Sequence, residues 1–166
     1  MVVDLVKNQK GKTNAMRQLD AANISYGIIH YDESDGQNDG ISVARKTERQ
    51  TDEIYKTLVT QSASKQYYVF LVPVEKELHL KKAAHAAGEK KIDMIAVKDL
   101  QKVTGYVKGG CSPIGMKKKY PTFLAKEASS LTAVLVSGGQ VGKQIEVKVE
   151  DLLLAAEAVF ADIVQE

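Results

Sequence analysis

Sixteen residues, Thr104-Gly105-Tyr106-Val107-Lys108-Gly109-Gly110-Cys111-Ser112-Pro113-Ile114-Gly115-Met116-Lys117-Lys118-Lys119, hold four glycines, one proline and four lysines. Packing a core does not need that composition. Glycine permits backbone angles and close approaches that a Cβ forbids, so the segment reads as a loop rather than as the interior of a helix or strand. One reading is a backbone-built site. The glycines let an anionic or carbonyl-bearing ligand lie against N–H groups, and the lysines add positive charge. The other is a long connector with turn residues and a solvated lysine cluster. Composition alone does not separate them.

Around this loop the chain alternates helical and strand-like patterns without internal repeats. Thr13 or Asn14 is expected to cap a helix reaching about Ala22, with Met16, Leu19 and Ala22 on one face. A strand is expected over 24–31, a polar loop over 32–40 and a helix over 41–51. Strands over 54–62 and 66–74 should form a hairpin around Ala63-Ser64-Lys65. Leu80 to Ala87 reads as an alanine-rich helix stopped by Gly88. A short helix over 97–103 leads into the glycine loop. Strands are expected over 122–125, 133–136 and 144–149. A helix then starts at Glu150 or Asp151, with acidic residues at its positive end, and a last strand covers 160–164. Strands joined by short turns outnumber strand–helix–strand units, which implies a mostly antiparallel or mixed sheet with helices packed on it. Residues 1–12 read as a loosely ordered N-terminal segment and 13–166 as a single domain.

Composition excludes several classes. The 166 residues suffice for one ordinary core, and no apolar run approaches the ~20 residues of a membrane span. The N-terminus lacks a basic start followed by a long apolar stretch, so a secretion signal is not expected. Cys111 is the single cysteine, which rules out an internal disulfide and fits a reducing cytoplasm. A net charge of +2 does not suit a protein that grips nucleic acid along its whole surface, although a local patch could bind a tRNA end. The basic residues are lysines apart from Arg17, Arg45 and Arg49, which suits phosphate contact and ordinary solubility alike. His30, His79 and His85 are scattered and none sits at metal-ligand spacing, so no metal is expected. Neither a phosphate-binding Gly-x-x-x-x-Gly-Lys-Ser/Thr nor a dinucleotide Gly-x-Gly-x-x-Gly motif is present, and no cofactor is expected.

Two further segments flank the loop. Tyr55-Lys56-Thr57-Leu58-Val59 places a lysine inside a strand-like run. Val134-Leu135-Val136-Ser137-Gly138-Gly139 is an apolar strand ending in a small-residue turn, followed by Gly142 and Ile145-Glu146-Val147. In this order, with Thr-Gly-Tyr-x-x-Gly-Gly-x-Ser-Pro-x-Gly between them, the chain from about Thr13 to its end resembles the YbaK/EbsC family. These are aminoacyl-tRNA deacylases related to the editing domain inserted in bacterial prolyl-tRNA synthetases. The resemblance implies an α/β fold of the α+β type, with a curved, barrel-like mixed, mostly antiparallel sheet flanked by helices. It implies trans-editing of mischarged tRNA(Pro) in the cytoplasm, with Cys-tRNA(Pro) as the first substrate. Ala-tRNA(Pro) or another aminoacyl-tRNA is the alternative, and a non-catalytic tRNA- or synthetase-binding module is a further one. The implied partners are the acceptor end of aminoacyl-tRNA and prolyl-tRNA synthetase, with no membrane and no DNA.

By residue type, Lys56 either points to solvent from the polar face of its strand or reaches into a cleft; the family pattern makes it a site residue. Tyr31 ends a strand before a polar loop, where a phenol can donate into a pocket. The family typically has a histidine two residues before this tyrosine, whereas here that position is Ile29 and His30 is shifted by one. Gly109 and Gly110 are expected to orient the ester and stabilise a developing oxyanion. Thr57, Ser112, Pro113, Gly115, Ser137, Gly138 and Gly139 complete the expected substrate-binding set. Cys111 occupies a position that is commonly apolar in the family and names no basic partner, so it reads as structural rather than as a thiol nucleophile.

Overall fold

The computed structural model describes the backbone of residues 2–5 and the whole of residues 11–166. Two sheets carry the fold. The first has strands β1 (Val2–Leu5), β2 (Gly27–His30), β7 (Ala133–Gln140) and β8 (Lys143–Lys148) in the order β1-β2-β8-β7, all antiparallel. The second has β3 (Tyr55–Ser62), β4 (Tyr67–Pro73), β5 (Ile92–Met94), β6 (Thr122–Ala125) and β9 (Ala158–Ala161) in the order β5-β3-β4-β6-β9. In it β3 runs antiparallel to β4 and β5, while β4, β6 and β9 run parallel. The sheets meet at a parallel bridge between Ile54 and Leu135, where the Leu135 N–H donates to the Glu53 carbonyl at 2.9 Å. The result is the expected mixed, mostly antiparallel arrangement flanked by helices.

The helices form where local signals favour them. Helix α1 (Asn14–Ala21) is capped by Thr13, whose hydroxyl accepts from the Met16 N–H, and it buries Ala15, Met16 and Leu19. Helix α2 (Gly40–Thr47) is capped by Asp39 and stops at Glu48 in the left-handed region, earlier than the expected residue 51. Helix α3 (Leu80–Ala87) ends at Gly88 with φ of 71°, as the glycine predicts. A 3₁₀ turn over Val97–Asp99 runs into α4 (Leu100–Thr104), and α5 (Val149–Ala155) lies between β8 and β9.

Four differences from the sequence reading have local causes. Strand β1 lies in the segment expected to be loose, and Lys12 at the end of that segment is buried and paired with Asp20; Met1 and residues 6–10 lie outside the described residues. Strand β5 was not expected, because three residues carry too little pattern to be seen. Strand β7 does not end in a turn at Ser137-Gly138-Gly139. It continues to Gln140 through a register shift between Ser137 and Gln140, so the glycines form a bulge within a strand. The last strand starts at Ala158, because Glu157 adopts φ of 51° directly after α5 and reverses the chain without a glycine to mark it.

The main core joins the inner face of the first sheet, through Ile28, Val134, Val136 and Ile145, to Phe70, Leu71, Val72 and Leu124 of the second, with α1 and α5 packed over it. The ring of Phe70 stacks on Phe123 at 5.2 Å. A smaller cluster of Ile29, Ala44, Ile54, Val74 and Leu135 covers the opposite face of the first sheet.

The glycine loop is pinned to α1 and β7. Tyr106 is buried and its hydroxyl donates to the Ile114 carbonyl at 2.6 Å. Gly115 has φ of +81°, and a Cβ there would lie 2.7 Å from the Tyr106 hydroxyl and 2.8 Å from the Ala15 nitrogen. Gly36 has a similar φ of +75° and nothing within 4 Å. Left-handed backbone alone costs an L-residue about 1–2 kcal/mol, and overpacking adds roughly 1–3 kcal/mol. Gly115→Ala should therefore lower the melting temperature several degrees more than Gly36→Ala. Thermal unfolding of the two variants side by side tests this, and equal shifts would show that the junction has room to relax.

Candidate functional site

Strand β8 shows how the fold builds a polar cleft beside an apolar cluster. Ile145 and Val147 point to the main core, so Gln144 and Glu146 take the other face by the strand's period of two. Glu146 receives Arg49 at 2.7 Å, tying the end of α2 to the sheet. Gln144 stands in register with Ile29 on one side and Ser137 on the other. Next to it lies a cavity of about 580 Å³, bounded by the start of β3, the residues following β2, the N-terminus of α2 and the glycine loop.

The polar lining of this cavity is unusual in one respect. Among the described residues, the buried side-chain oxygens without a hydrogen-bond partner are Tyr31 Oη, Asn38 Oδ1, Thr57 Oγ1 and Gln144 Oε1. All four residues line this one cavity. A buried polar group left unpaired costs about 1–3 kcal/mol, so folded proteins rarely collect several in one place without a ligand or water to satisfy them. The cavity is therefore suited to a polar ligand.

Of the residues selected from sequence, Tyr31, Lys56, Thr57, Gly109 and Ser137 line the cavity. The Lys56 side chain is 26% exposed, and its Nζ lies 3.4 Å from a carboxylate oxygen of Glu77, which is itself 78% exposed. It is thus neither wholly solvated nor locked in a buried ion pair. Lys108 joins it on the cavity wall. Asp39 is there too, with its carboxyl held below the usual range by hydrogen bonds from the Ser42 hydroxyl and N–H at the start of α2.

The other selected residues stand elsewhere. The Gly110 N–H already donates to the Val107 carbonyl at 3.0 Å, so in this structure it does not serve as an oxyanion donor. A Cβ on Gly110 would lie 3.0 Å from the backbone nitrogen of Val141, so glycine there lets the loop touch the β7–β8 turn. Ser112 is fully buried and its Oγ accepts from the Ile114 N–H. Pro113 and Gly115 border a separate shallow hollow with Met116 and Tyr120. Gly138 offers its carbonyl to the Thr13 hydroxyl at 2.5 Å. Gly139, at φ of +98°, packs against Thr13 and the Tyr106 ring. These residues hold the loop, α1 and β7 together.

Sequence reasoning missed Asn38 and Gln144. Asn38 was hidden in a stretch of loop-forming residues. In sequence Gln144 reads as an ordinary polar strand residue; only its pairing beside the fully buried Ile29 sets it apart.

Cys111 is buried and belongs to an apolar cluster with Val59, Val69, Val103 and Tyr106, while also touching the cavity wall. Burial pushes its thiol up to about 11, slightly opposed by the Thr104 hydroxyl 4.0 Å away. Such a thiol stays protonated at neutral pH and is a poor nucleophile. Among the described residues, no group of three or more His, Cys, Asp or Glu side chains is arranged to hold a metal ion, and no helix is long and apolar enough to cross a membrane.

Comparison with known proteins places this geometry in context. Residues 41–154 match the model of the aminoacyl-tRNA editing domain. The chain is 42% identical over 157 residues to EbsC of Enterococcus faecalis (strain ATCC 700802 / V583), which carries a provisional name as a Cys-tRNA(Pro)/Cys-tRNA(Cys) deacylase; the match covers 95% of this chain and 96% of that protein. Among solved structures, a hypothetical protein, APE2540, superposes with a TM-score of 0.83 at 20% identity, covering 92% of this chain and 100% of its own. A structure described provisionally as a trans-editing enzyme for prolyl tRNA synthetase superposes with a TM-score of 0.80 at 20% identity, covering 92% and 96%. These two structural likenesses show a shared fold.

The position of Cys111 generates a direct test. At pH 8 its thiolate fraction should be roughly 100-fold below that of a thiol at 9.0, since each pH unit is tenfold. Native protein should therefore react with a thiol reagent at least ~100-fold more slowly than the same chain in denaturant. A native rate equal to the denatured one would show that Cys111 is exposed or activated.

Proposed function

This chain belongs to the aminoacyl-tRNA editing domain family, and from that premise we propose that it is a deacylase cleaving the ester of mischarged tRNA(Pro), with Cys-tRNA(Pro) as its preferred substrate. The observation that carries the reading is the convergence of Tyr31, Asn38, Thr57 and Gln144, each with an unpartnered buried oxygen, on one cavity that Lys56 and Gly109 also line. A cavity of about 580 Å³ has room for an aminoacyl group and part of the terminal adenosine.

An aminoacyl ester is already activated, so cleavage needs positioning more than a strong protein nucleophile. In this reading Lys56 meets the terminal phosphate or ribose, because its ammonium is a compact point charge on a flexible stem. The Gly109 N–H and the Thr57 and Tyr31 hydroxyls are the donors for the carbonyl oxygen as negative charge develops; one such donor is typically worth ~3–4 kcal/mol of barrier. With a cysteinyl ester, the substrate's own thiol attacks the carbonyl carbon. A C–S bond forms, the C–O bond to ribose breaks and the thiol proton passes to the ribose oxygen. The products are a free tRNA 3′ end and a cyclic thioester. Water takes the thiol's place for an alanyl ester. Discrimination among tRNAs would come from prolyl-tRNA synthetase as a partner, in the cytoplasm where charged tRNA is found.

Two measurements test the proposal. Purified protein should deacylate Cys-tRNA(Pro) faster than Ala-tRNA(Pro), should spare Pro-tRNA(Pro), and should keep its activity in chelator. Ester loss no greater than in buffer for both mischarged substrates would leave a binding module instead. Lys56→Ala should lower the rate ~100-fold while the melting temperature stays within about a degree, since positioning losses are large and surface substitutions cost only a few tenths of a kcal/mol. Lys56→Arg should also be impaired. Wild-type activity in Lys56→Ala would make that lysine a solvated strand residue.

A further inference from the structure

We infer, resting on the deacylase reading, that Asn38 and Gln144 bind the α-amino group of the aminoacyl ester, so that the site accepts free aminoacyl esters and rejects N-blocked ones. The unpartnered atoms of these two residues are Asn38 Oδ1 and Gln144 Oε1, both amide carbonyl oxygens. A carbonyl oxygen only accepts, so each requires an N–H or O–H donor. Gln144 is 6% exposed, which leaves solvent little access to its head group.

The candidate donors on the substrate end are few. Phosphate and ester carbonyl oxygens only accept. The ribose hydroxyl can donate once and also accept. The exocyclic amine of the terminal adenine has two N–H donors but sits across the ribose from the ester, whereas the α-amino group presents two or three N–H donors one carbon from the ester carbonyl. The donors suited to that carbonyl, at Gly109 and Thr57, line the same cavity as the two acceptors. Asp39, the acidic residue on the wall, is solvent-exposed and caps α2 through the Ser42 hydroxyl at 2.6 Å and the Ser42 N–H at 3.2 Å, so it needs a substrate donor less than the buried carbonyl oxygens do.

The arrangement also explains why a buried glutamine is held without a partner in a strand otherwise packed by Ile145 and Val147. Gln144 is fixed by its register between Ile29 and Ser137, so its side chain is directed by the sheet. Asn38 lies two residues before the first residue of α2, in the connection from β2, and therefore approaches from the other wall. Two acceptors from separate elements can define the amine's position, and acylation of the amine removes the donors they would bind.

The test compares cysteinyl-tRNA(Pro) with its N-acetyl derivative, thiol free in both, on wild type, Gln144→Met, Gln144→Glu and Asn38→Ala. Wild type should cleave the free amine at least ~10-fold faster than the blocked one, the scale of one or two hydrogen bonds. Gln144→Met and Asn38→Ala should each lose roughly tenfold in kcat/KM on the free substrate only, shrinking the preference. Gln144→Glu keeps an acceptor and should keep the preference. Equal cleavage of both substrates by wild type, or an unchanged preference in Gln144→Met, overturns this inference and leaves the deacylase reading standing. Cleavage of neither substrate overturns both.

Discussion

The architecture of the site depends on the close packing around the Tyr106 ring. Three segments distant in sequence meet there: the N-terminus of α1 at Thr13, the glycine loop at Gly115 and the bulge of β7 at Gly139. The approach is closer than side chains allow. A Cβ on Gly139 would lie 3.0 Å from both Thr13 Cβ and the Tyr106 ring, and one on Gly115 would fall within 2.8 Å of the α1 backbone. Burial keeps the Tyr106 phenol protonated, since it pushes the group well above the ordinary tyrosine value, and the proton serves the Ile114 carbonyl. With the far half of the loop fixed in this way, its near half at Lys108, Gly109 and Cys111 is presented to the cavity.

That junction explains which parts of the sequence were legible. Helices α1 and α3 were visible because each end carries a residue with one dominant local use: Thr13 accepts from the Met16 N–H, and Gly88 takes the left-handed turn. The β3–β4 hairpin was visible because two apolar runs flank a short polar turn. The path of β7 was not. Ser137-Gly138-Gly139 has turn composition, but its flexibility serves a bulge that lets the strand continue under Tyr106 and Thr13. Strand pairing is a tertiary property, and no local signal distinguishes a glycine that ends a strand from one that kinks it.

The candidate site divides in the same way. Lys56, Tyr31 and Gly109 could be selected because a lysine in a strand, a strand-end tyrosine and a loop glycine are each conspicuous in sequence, and all three line the cavity. The motif glycines and Ser112 were conspicuous for the same reason, yet most of them pack the scaffold. Close backbone approach restricts residue choice as ligand contact does, as the atoms a Cβ would meet at Gly115 and Gly139 show. Asn38 and Gln144 show the converse. Asparagine in a loop and glutamine in a strand attract no notice, and only burial without a partner sets them apart.

The cavity's location follows from how the two sheets join. Tyr31 and Gln144 belong to or directly follow strands of the first sheet, whereas Lys56 and Thr57 open β3 of the second. Ile54, which bridges to Leu135, also lines the cavity, so the contact that joins the sheets forms part of the site's wall. Any shift between the sheets would change the spacing between Lys56 and Gln144. Under the proposed mechanism, which relies on positioning, the site would be sensitive to such shifts, because displacements of about 1 Å can cost ~100-fold in rate. The apolar cluster of Ile29, Ala44, Ile54, Val74 and Leu135, two of which line the cavity, resists that movement together with the Arg49–Glu146 ion pair. The unpaired oxygens stand beside this seam, and a ligand with matching donors that entered the cavity would meet acceptors already held in place.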